Sequence, residues 1–587
     1  MARRHRPIPV PPCRRWSTGH GDDHMKWFGG MLGRPVGAPV PVGARVLWRG
    51  ATVWSAGDVP VRQARGAGGL RLAVFGPCGA TGTELTRLVE RAEFGRIDAA
   101  AVAWSGAYTL VLDDGRGTVT VWADPAGAAP VYLSTAGNNP VWASSSLALA
   151  SLVGAGPDTA WLAAHLSDPT AWVPGRSAWT GVEQLPPGYR WTATEHGTCA
   201  ITPFRRELRL AWSDAVQRLR EDLTDGVAIR VTDRMASSDL SGGLDSTTLA
   251  VLASKCGPVV GLTYHPKGRE EGGDLDHART VAHAFPRIRH RLMALGPEHL
   301  PFTDLGTLPL TDEPAPSAIT SAQLLAQFRH LASDGIAVHL TGDGGDSLFM
   351  PPPAHLVDLA RSGRLLRLAR DAQTWARLYR TSPWKAVASV VGDPGATAVP
   401  MPWLTTNTLD LAASATMPHP DTSGLGHADR LLLQEARYVG RTAATENQLA
   451  AVHGITMHNP FTDTRVVESV LAAPAADRWS ARRYKPMLSD AVAGLLPPSV
   501  LGRGAKGIFT ADHHQGLRAN QSAVLDLVDG HLAALGLLRP AALRSLLRNA
   551  ALGADVPWGL IEPVLGTELW LRAAESVTRT VRWEIPA

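Results

Sequence analysis

The stretch 241-SGGLDSTT-248 follows the apolar-bearing segment Met235 to Leu240 and runs into Thr247-Thr248-Leu249-Ala250-Val251-Leu252, a pattern of strand, tight glycine turn and helix. Ser241, Gly242 and Gly243 can bring backbone N–H groups close to an anion with no Cβ in the way. The helix behind them adds unpaired N–H groups and the positive end of its dipole, so a phosphate is the expected guest. Asp245 and Ser246 fit beside an anion if Asp245 holds a Mg²⁺ that bridges the phosphates and takes hard oxygen ligands. A second turn, 342-GDGGD-346, ends the apolar run 335-GIAVHLT-341; Gly342 brings backbone to the nucleotide and Asp346 supplies the partner carboxylate. Two carboxylates at the C-terminal ends of parallel strands make a reasonable Mg²⁺–nucleotide site. Each turn taken singly is also what an ordinary strand-to-helix connection looks like. Neither is a GxxxxGK loop followed by Ser or Thr, and no GxGxxG follows a strand.

The 587 residues are enough for about four domains by length alone, but the absence of clear linkers favours two large ones. The formal net charge is +4, of which residues 1–24 carry +3 through Arg3, Arg4, Arg6, Arg14 and Arg15 against Asp22 and Asp23. The remainder is nearly neutral, which argues against nucleic acid as a partner, because backbone binding needs a concentrated basic face. Cys13, Cys78, Cys199 and Cys256 lie far apart with no CxxC, so neither a zinc cage nor a disulfide framework is expected. A reducing cytoplasm is the natural compartment. No run approaches the length of a membrane span, and no apolar segment follows the N-terminal arginines as a signal peptide requires.

Residues 1–24 are expected to be a disordered tail or an extension from an early start codon. From 25 to about 200 the pattern is short strands with turns, at 45–50, 70–76, 107–115, 118–125, 130–134 and 140–145, interrupted by a helix from Thr83 to Glu93. A helix from about Trp212 to Val231 opens the second domain, 205–587, which is mainly helical beyond the two glycine turns. The Pro-, Gly- and Thr-rich stretch from Gly392 to Leu425 reads as a long loop, either a lid over the site or a tolerated surface insertion.

Several further words fall into one order. They are 123-ADPAGAAPVYLS-134, 184-QLPPGYRW-191, 261-GLTYHP-266, 340-LTGDGGDSLF-349, 459-NPFTDTRVVE-468, 485-KPMLSDAVAGLLPPSV-500 and 503-RGAKGIF-509. With SGGLDSTT they resemble the asparagine synthetase superfamily over nearly the whole chain from Met25. The resemblance implies an α/β protein: an α+β N-terminal sandwich of the Ntn glutaminase type, then a mainly helical α/β pyrophosphate-loop synthetase domain with a parallel sheet. It implies ATP and Mg²⁺, with the metal at Asp245 and Asp346, cleavage of ATP to AMP and pyrophosphate, and adenine near Gly261, Leu262 and Thr263. Lys506 resembles the lysine that stabilises charge as the adenylate forms and collapses, and Lys485 is expected to reach the same phosphates. Either could be a surface lysine. Asp312 and Glu313 sit where substrate could lie, or in a solvated loop.

The departures select within the family. Its glutaminases expose a cysteine directly after the initiator Met, where here Ala2 follows Met1 and Lys26 follows Met25. Cys13 could serve only if cleavage exposed it. Ammonia from glutamine is then not the expected nucleophile. At Asp343 the asparagine-forming enzymes carry a Glu, and the β-lactam synthetases a Tyr that works with a distant Glu. A carboxylate there suits a general base for an attacking ammonium, and otherwise a helix cap. Glu446 lies in the region of that second base. The best-fitting group is the lasso-peptide macrolactam synthetases, which adenylate an Asp or Glu side chain of a small core peptide for attack by its own N-terminal amine. A leader-binding protein and a leader peptidase are the implied partners. The alternatives are a β-lactam synthetase-like enzyme, an ammonia-dependent asparagine synthetase and a non-catalytic nucleotide-binding scaffold.

Overall fold

In the N-terminal half, strands with one face on the core pair into two six-stranded sheets, and every pairing is antiparallel. The computed structural model describes residues 26–584 apart from 33–38, 49–52, 92, 195–196, 198, 205–207, 270, 307, 351–352, 392–400, 423, 502–509 and 576–580. The sheets face each other across Phe28, Phe75, Val111, Val121, Trp142 and Trp191, with the Phe28 and Phe75 rings stacked 4.2 Å apart. Helix Gly82–Glu90 covers the outside of one sheet through Leu85 and Val89, and starts at Thr81 in a capping box with Glu84. Helices Ser146–Val153 and Thr159–Ser167 cover the other. This helix–sheet–sheet–helix order is the expected Ntn-type sandwich.

The strand Trp27–Met31 escapes pattern reading because all five of its residues are buried, leaving no alternation to see. Its glycines are packing residues: a Cβ at Gly29 would lie 2.5 Å from the Trp142 carbonyl oxygen, and one at Gly30 2.7 Å from Trp142 Nε1. The polar strand Val61–Arg65, at a sheet edge, carries too little apolar signal to be read.

After helix Trp212–Val231 the chain builds a five-stranded parallel sheet in the order Ile288–Leu295, Val259–Pro266, Ala236–Asp239, Val338–Leu340, Thr456–His458. The long helix His427–Ala451 packs against the other half of the molecule at Gly440, where a Cβ would lie 2.7 Å from the Ala126 carbonyl oxygen. Arg437 on the same helix donates to the carbonyls of Pro125 and Pro187. Two of the family-like words, at 123–134 and 184–191, thus form the domain contact. The described part of the 392–425 segment corrects the expectation of a loop: Thr406–Ala415 is a helix, capped by Thr405 and packed on Thr159–Ser167. Its burial at Thr408 and Ala412 ties it into the largest apolar core. No helix among the described residues is long and apolar enough to cross a membrane.

Candidate active site

The strand Ala236–Asp239 is the middle of the parallel sheet, with Val259–Pro266 on one side and Val338–Leu340 on the other. Order reverses there, and the crevice beyond such a reversal is where open α/β sheets bind ligands. A cavity of about 300 Å³ opens at this point. Ser241, Gly243, Asp245 and Ser246 line it from the first turn, Gly342, Asp343 and Asp346 from the second, and Leu262 and Thr263 from the neighbouring strand. The two turns touch, since a Cβ at Gly345 would fall 2.4 Å from Asp245 Cγ. The first is tied by the Ser241 N–H, which donates to Ser246 Oγ at 3.1 Å.

The glycines differ in purpose. Gly242 has φ +70°, and a Cβ on it would lie 2.7 Å from the Asp274 carbonyl oxygen and from His277 Cβ, so the chain itself demands glycine. Gly243 has an ordinary φ of −78° and room for a Cβ, the nearest atom being Ser241 Oγ at 3.4 Å. Packing does not require glycine there; close approach of an anion would. Gly261 is a packing glycine, with Ile288 Cγ2 2.8 Å and Leu240 Cδ2 2.9 Å from a Cβ. The Thr263 hydroxyl is spent inside the sheet, donating to the Leu240 carbonyl oxygen at 2.5 Å.

Asp245 and Asp346 converge on Lys485. The Lys485 ammonium pairs with Asp245 and with Asp346 Oδ1 at 2.7 Å, the lysine fully buried and Asp346 65% exposed. Burial opposes the charge on Lys485, but Asp245 and Asp346 outweigh it and hold its pKa above the ordinary lysine value. Lys485 has φ 42°, a left-handed conformation for a non-glycine residue, directly before Pro486 at the start of helix Pro486–Ala491. Such strain persists where the surroundings over-determine it, often at functional sites. Two carboxylates facing one cation also suit Mg²⁺, which takes one or two carboxylates and completes its shell with phosphate oxygens and water. No cluster of three or more acidic, His or Cys side chains exists among the described residues to hold a metal without a substrate. Lys506 lies outside the described residues.

Asp343 is exposed at the cavity, its carboxylate accepting from Thr341 Oγ1 at 2.9 Å. The next helix, Gly345–Phe349, starts from Gly344 with no side-chain cap. Glu446, on the long helix, accepts from the Ser317 N–H at 2.8 Å and the Ser317 hydroxyl at 2.5 Å. Burial pushes its pKa up to about 7 against those two bonds, and the nearby charge of Asp343 pushes the same way. The structure therefore brings Asp343 and Glu446 within electrostatic reach of each other.

Asp312 and Glu313 are neither in a solvated loop nor at the cavity. Asp312 accepts from Ser145 Oγ at 2.6 Å, the Leu147 N–H at 2.8 Å and Gln448 Nε2 at 2.5 Å, joining the two domains. Glu313 is buried against Arg441, 3.1 Å away. Sequence reading missed Tyr264 and Tyr484, which also line the cavity. The Tyr264 hydroxyl has no hydrogen-bond partner among the described residues, and its pKa is raised by burial and by the charges of Asp239 and Asp343. A buried hydroxyl without a partner, on a residue that lines a cavity, is a candidate ligand contact. Tyr264 does stand inside the word 261-GLTYHP-266, so only its direction was illegible.

No curated protein matches the chain. Among solved structures it is similar to the allosteric regulatory enzyme of purine biosynthesis, at 12% identity and TM-score 0.22, over 46% of this chain and 60% of that one. It is also similar to glutamine phosphoribosylpyrophosphate amidotransferase from B. subtilis complexed with ADP and GMP, at 10% identity and TM-score 0.22, over 55% and 76%. Neither overlap is close enough to bear on chemistry. The asparagine synthase family model matches residues 218–572, from the first helix of the second domain through both glycine turns and Lys485. By that match, which covers more than half of its length, the chain belongs to the asparagine synthase family.

Proposed function

We propose that this protein closes a macrolactam in a ribosomally made lasso peptide, adenylating an Asp or Glu side chain that the core peptide's own N-terminal amine then attacks. Family membership makes the chain an ATP-dependent amide-forming ligase; the choice of substrate is the step proposed. The observation that carries it is Asp343 at the nucleotide cavity, within electrostatic reach of Glu446, which is held near pKa 7. An amine is protonated at neutral pH and cannot attack until it loses a proton, and a carboxylate titrating near 7 is matched to that task.

In the first step a substrate carboxylate oxygen bonds to the α-phosphorus of ATP and pyrophosphate leaves. Gly243 and the N-terminus of helix Leu244–Cys256 receive phosphate oxygens, and Lys485 offsets their charge. Asp245 and Asp346 would hold a bound Mg²⁺, which supplies charge neutralisation on the phosphates. In the second step the amine nitrogen bonds to the acyl carbon, AMP leaves, and the amine proton passes to Asp343 or Glu446. Tyr264, which lines the same cavity with its hydroxyl unpaired among the described residues, would be a hydrogen-bond partner for the acyl group. Holding both peptide ends together can contribute about 7–11 kcal/mol through proximity alone.

An amine drawn from the substrate rather than from glutamine is part of this reading, in which Cys78, the buried cysteine of the N-terminal half, is no substitute nucleophile. Burial pushes its thiol up to about 11, far from the thiolate a nucleophile needs. A leader-binding protein, a leader peptidase and a cytoplasmic setting belong to the same proposal. The test is to incubate the purified protein with ATP, Mg²⁺ and leaderless core peptide. Loss of one water mass with release of pyrophosphate is expected; neither appearing refutes the proposal. Asparagine formed from aspartate and ammonia instead would identify an ammonia-dependent synthetase.

A further inference from the structure

A second cavity, of about 380 Å³, lies between the N-terminal sheets and the synthetase domain. It is within the size range of about 300–1,000 Å³ that small-ligand sites occupy. Asn459 lines it from just beyond the strand Thr456–His458. The residue is only 6% exposed, and neither Oδ1 nor Nδ2 has a hydrogen-bond partner among the described residues. A buried carboxamide with both ends unmet needs a partner that donates and accepts together, as a backbone amide does.

Among the charged groups of the wall, cations predominate. Lys26, Arg62 and Arg234 line the cavity and form no salt bridge with a described residue; Lys26 Nζ donates to Thr456 Oγ1 at 3.0 Å, and Arg62 donates to the Ala80 carbonyl oxygen. Arg230 is neutralised by its buried pair with Asp463. The acidic groups facing the space are Asp58, exposed, and Asp312, whose oxygens are taken by Ser145, Leu147 and Gln448. His458 also lines the cavity; burial first, and then the charges of Arg230, Arg234 and Lys26, hold its pKa well below the usual imidazole value.

The cavity adjoins the second glycine turn. Ala443, Ala444, Asn447 and Gln448 turn one face of helix His427–Ala451 to it. Thr462, on the same wall, would lie 3.6 Å from a Cβ on Gly344 of the second glycine turn.

We infer that this interdomain cavity is a second substrate subsite, which takes the C-terminal carboxylate of a peptide at Lys26, Arg62 and Arg234 and its last backbone amide at Asn459. The inference rests on the reading of the substrate as a peptide, and gives that peptide a second anchor beside the reacting end. The probe is a random tetrapeptide library, as free acids and as C-terminal amides, passed over the full-length protein and read by affinity mass spectrometry, with calorimetry on the enriched members. Free acids should bind at least about tenfold tighter than their amides. Arg234→Gln should weaken the acids about tenfold without changing the amides, and Asn459→Ala should weaken the acids about tenfold and the amides with them. Equal retention of acids and amides, or unchanged acid binding in either folded variant, overturns the site and leaves a cavity for water. Arg234 is exposed, so its variant carries the test if Asn459→Ala fails to fold. Acid-selective binding with no pyrophosphate release from any core peptide would sink the macrolactam reading and leave this site standing.

Discussion

Two sets of carboxylates, one at the cavity between the glycine turns and one between the two halves of the molecule, use the same residue type to opposite ends. At the interface Asp312 has its oxygens met by Ser145, Leu147 and Gln448, Asp124 accepts from Thr464 Oγ1 at 2.5 Å, and Asp463 holds Arg230 in a two-point pair. At the cavity Asp245 and Asp346 converge on one buried ammonium, and Asp346 faces solvent. A carboxylate enclosed by donors is a joint, because removing a partner strands a buried charge. One that shares a single cation at an open cavity can exchange that partner for a ligand. Glu446 lies between these cases, satisfied by Ser317 yet titrating near neutrality.

The contrast is tested most severely at Lys485. Lys485→Met should lower ATP–pyrophosphate exchange by at least about a thousandfold, since it removes a buried positive group from the site of phosphate charge. Exchange within tenfold of wild type would show that Lys485 is only a structural pair. On the interface side, Arg230→Ala should destabilise the fold by about 3–5 kcal/mol in chemical denaturation, because Asp463 is left buried and unpaired. An unchanged unfolding midpoint would break the distinction.

Asp343→Asn should leave pyrophosphate exchange within a few-fold and slow amide formation by about a hundredfold or more, measured on one peptide. Loss of both would place Asp343 with the metal-facing pair instead. Glu446 tests the intermediate case through pH. Its folded pKa of about 7 is above the ordinary 4.5, so the folded state favours the protonated acid. That stabilisation is complete below about 4.5 and is lost as pH rises through about 7. Relative to Glu446→Gln, which stays neutral, wild type should lose about 2–3 kcal/mol between pH 4 and 8, while amide formation climbs through the same window. A pH-independent difference would mean an ordinary solvated carboxylate. The smallest effect belongs to Asp312→Asn, about 1–2 kcal/mol in stability with exchange unaltered.

Both glycine turns, their aspartates and Lys485 were legible because glycine and acidic residues in a fixed local order carry their chemistry with them. Tyr264, Tyr484 and Ser317 were not, since a side chain's direction depends on neighbours far away in sequence. Ser317 meets Glu446 across 129 positions. The helix Thr406–Ala415 was hidden for a related reason: its buried positions are Thr408 and Ala412, small residues with little apolar signal, set among prolines and glycines.

Local order alone pointed to the mixed α/β fold and to the two glycine turns with the phosphate site expected there, because backbone freedom at glycine and helix-end polarity are properties of a few adjacent residues. Only the tertiary structure decided which carboxylates face the cavity between the glycine turns and which are enclosed by donors elsewhere. Burial and the donors that surround an acid are set by packing between distant segments, and they separate Asp245 and Asp346 from Asp312 and Asp463, with Glu446 between.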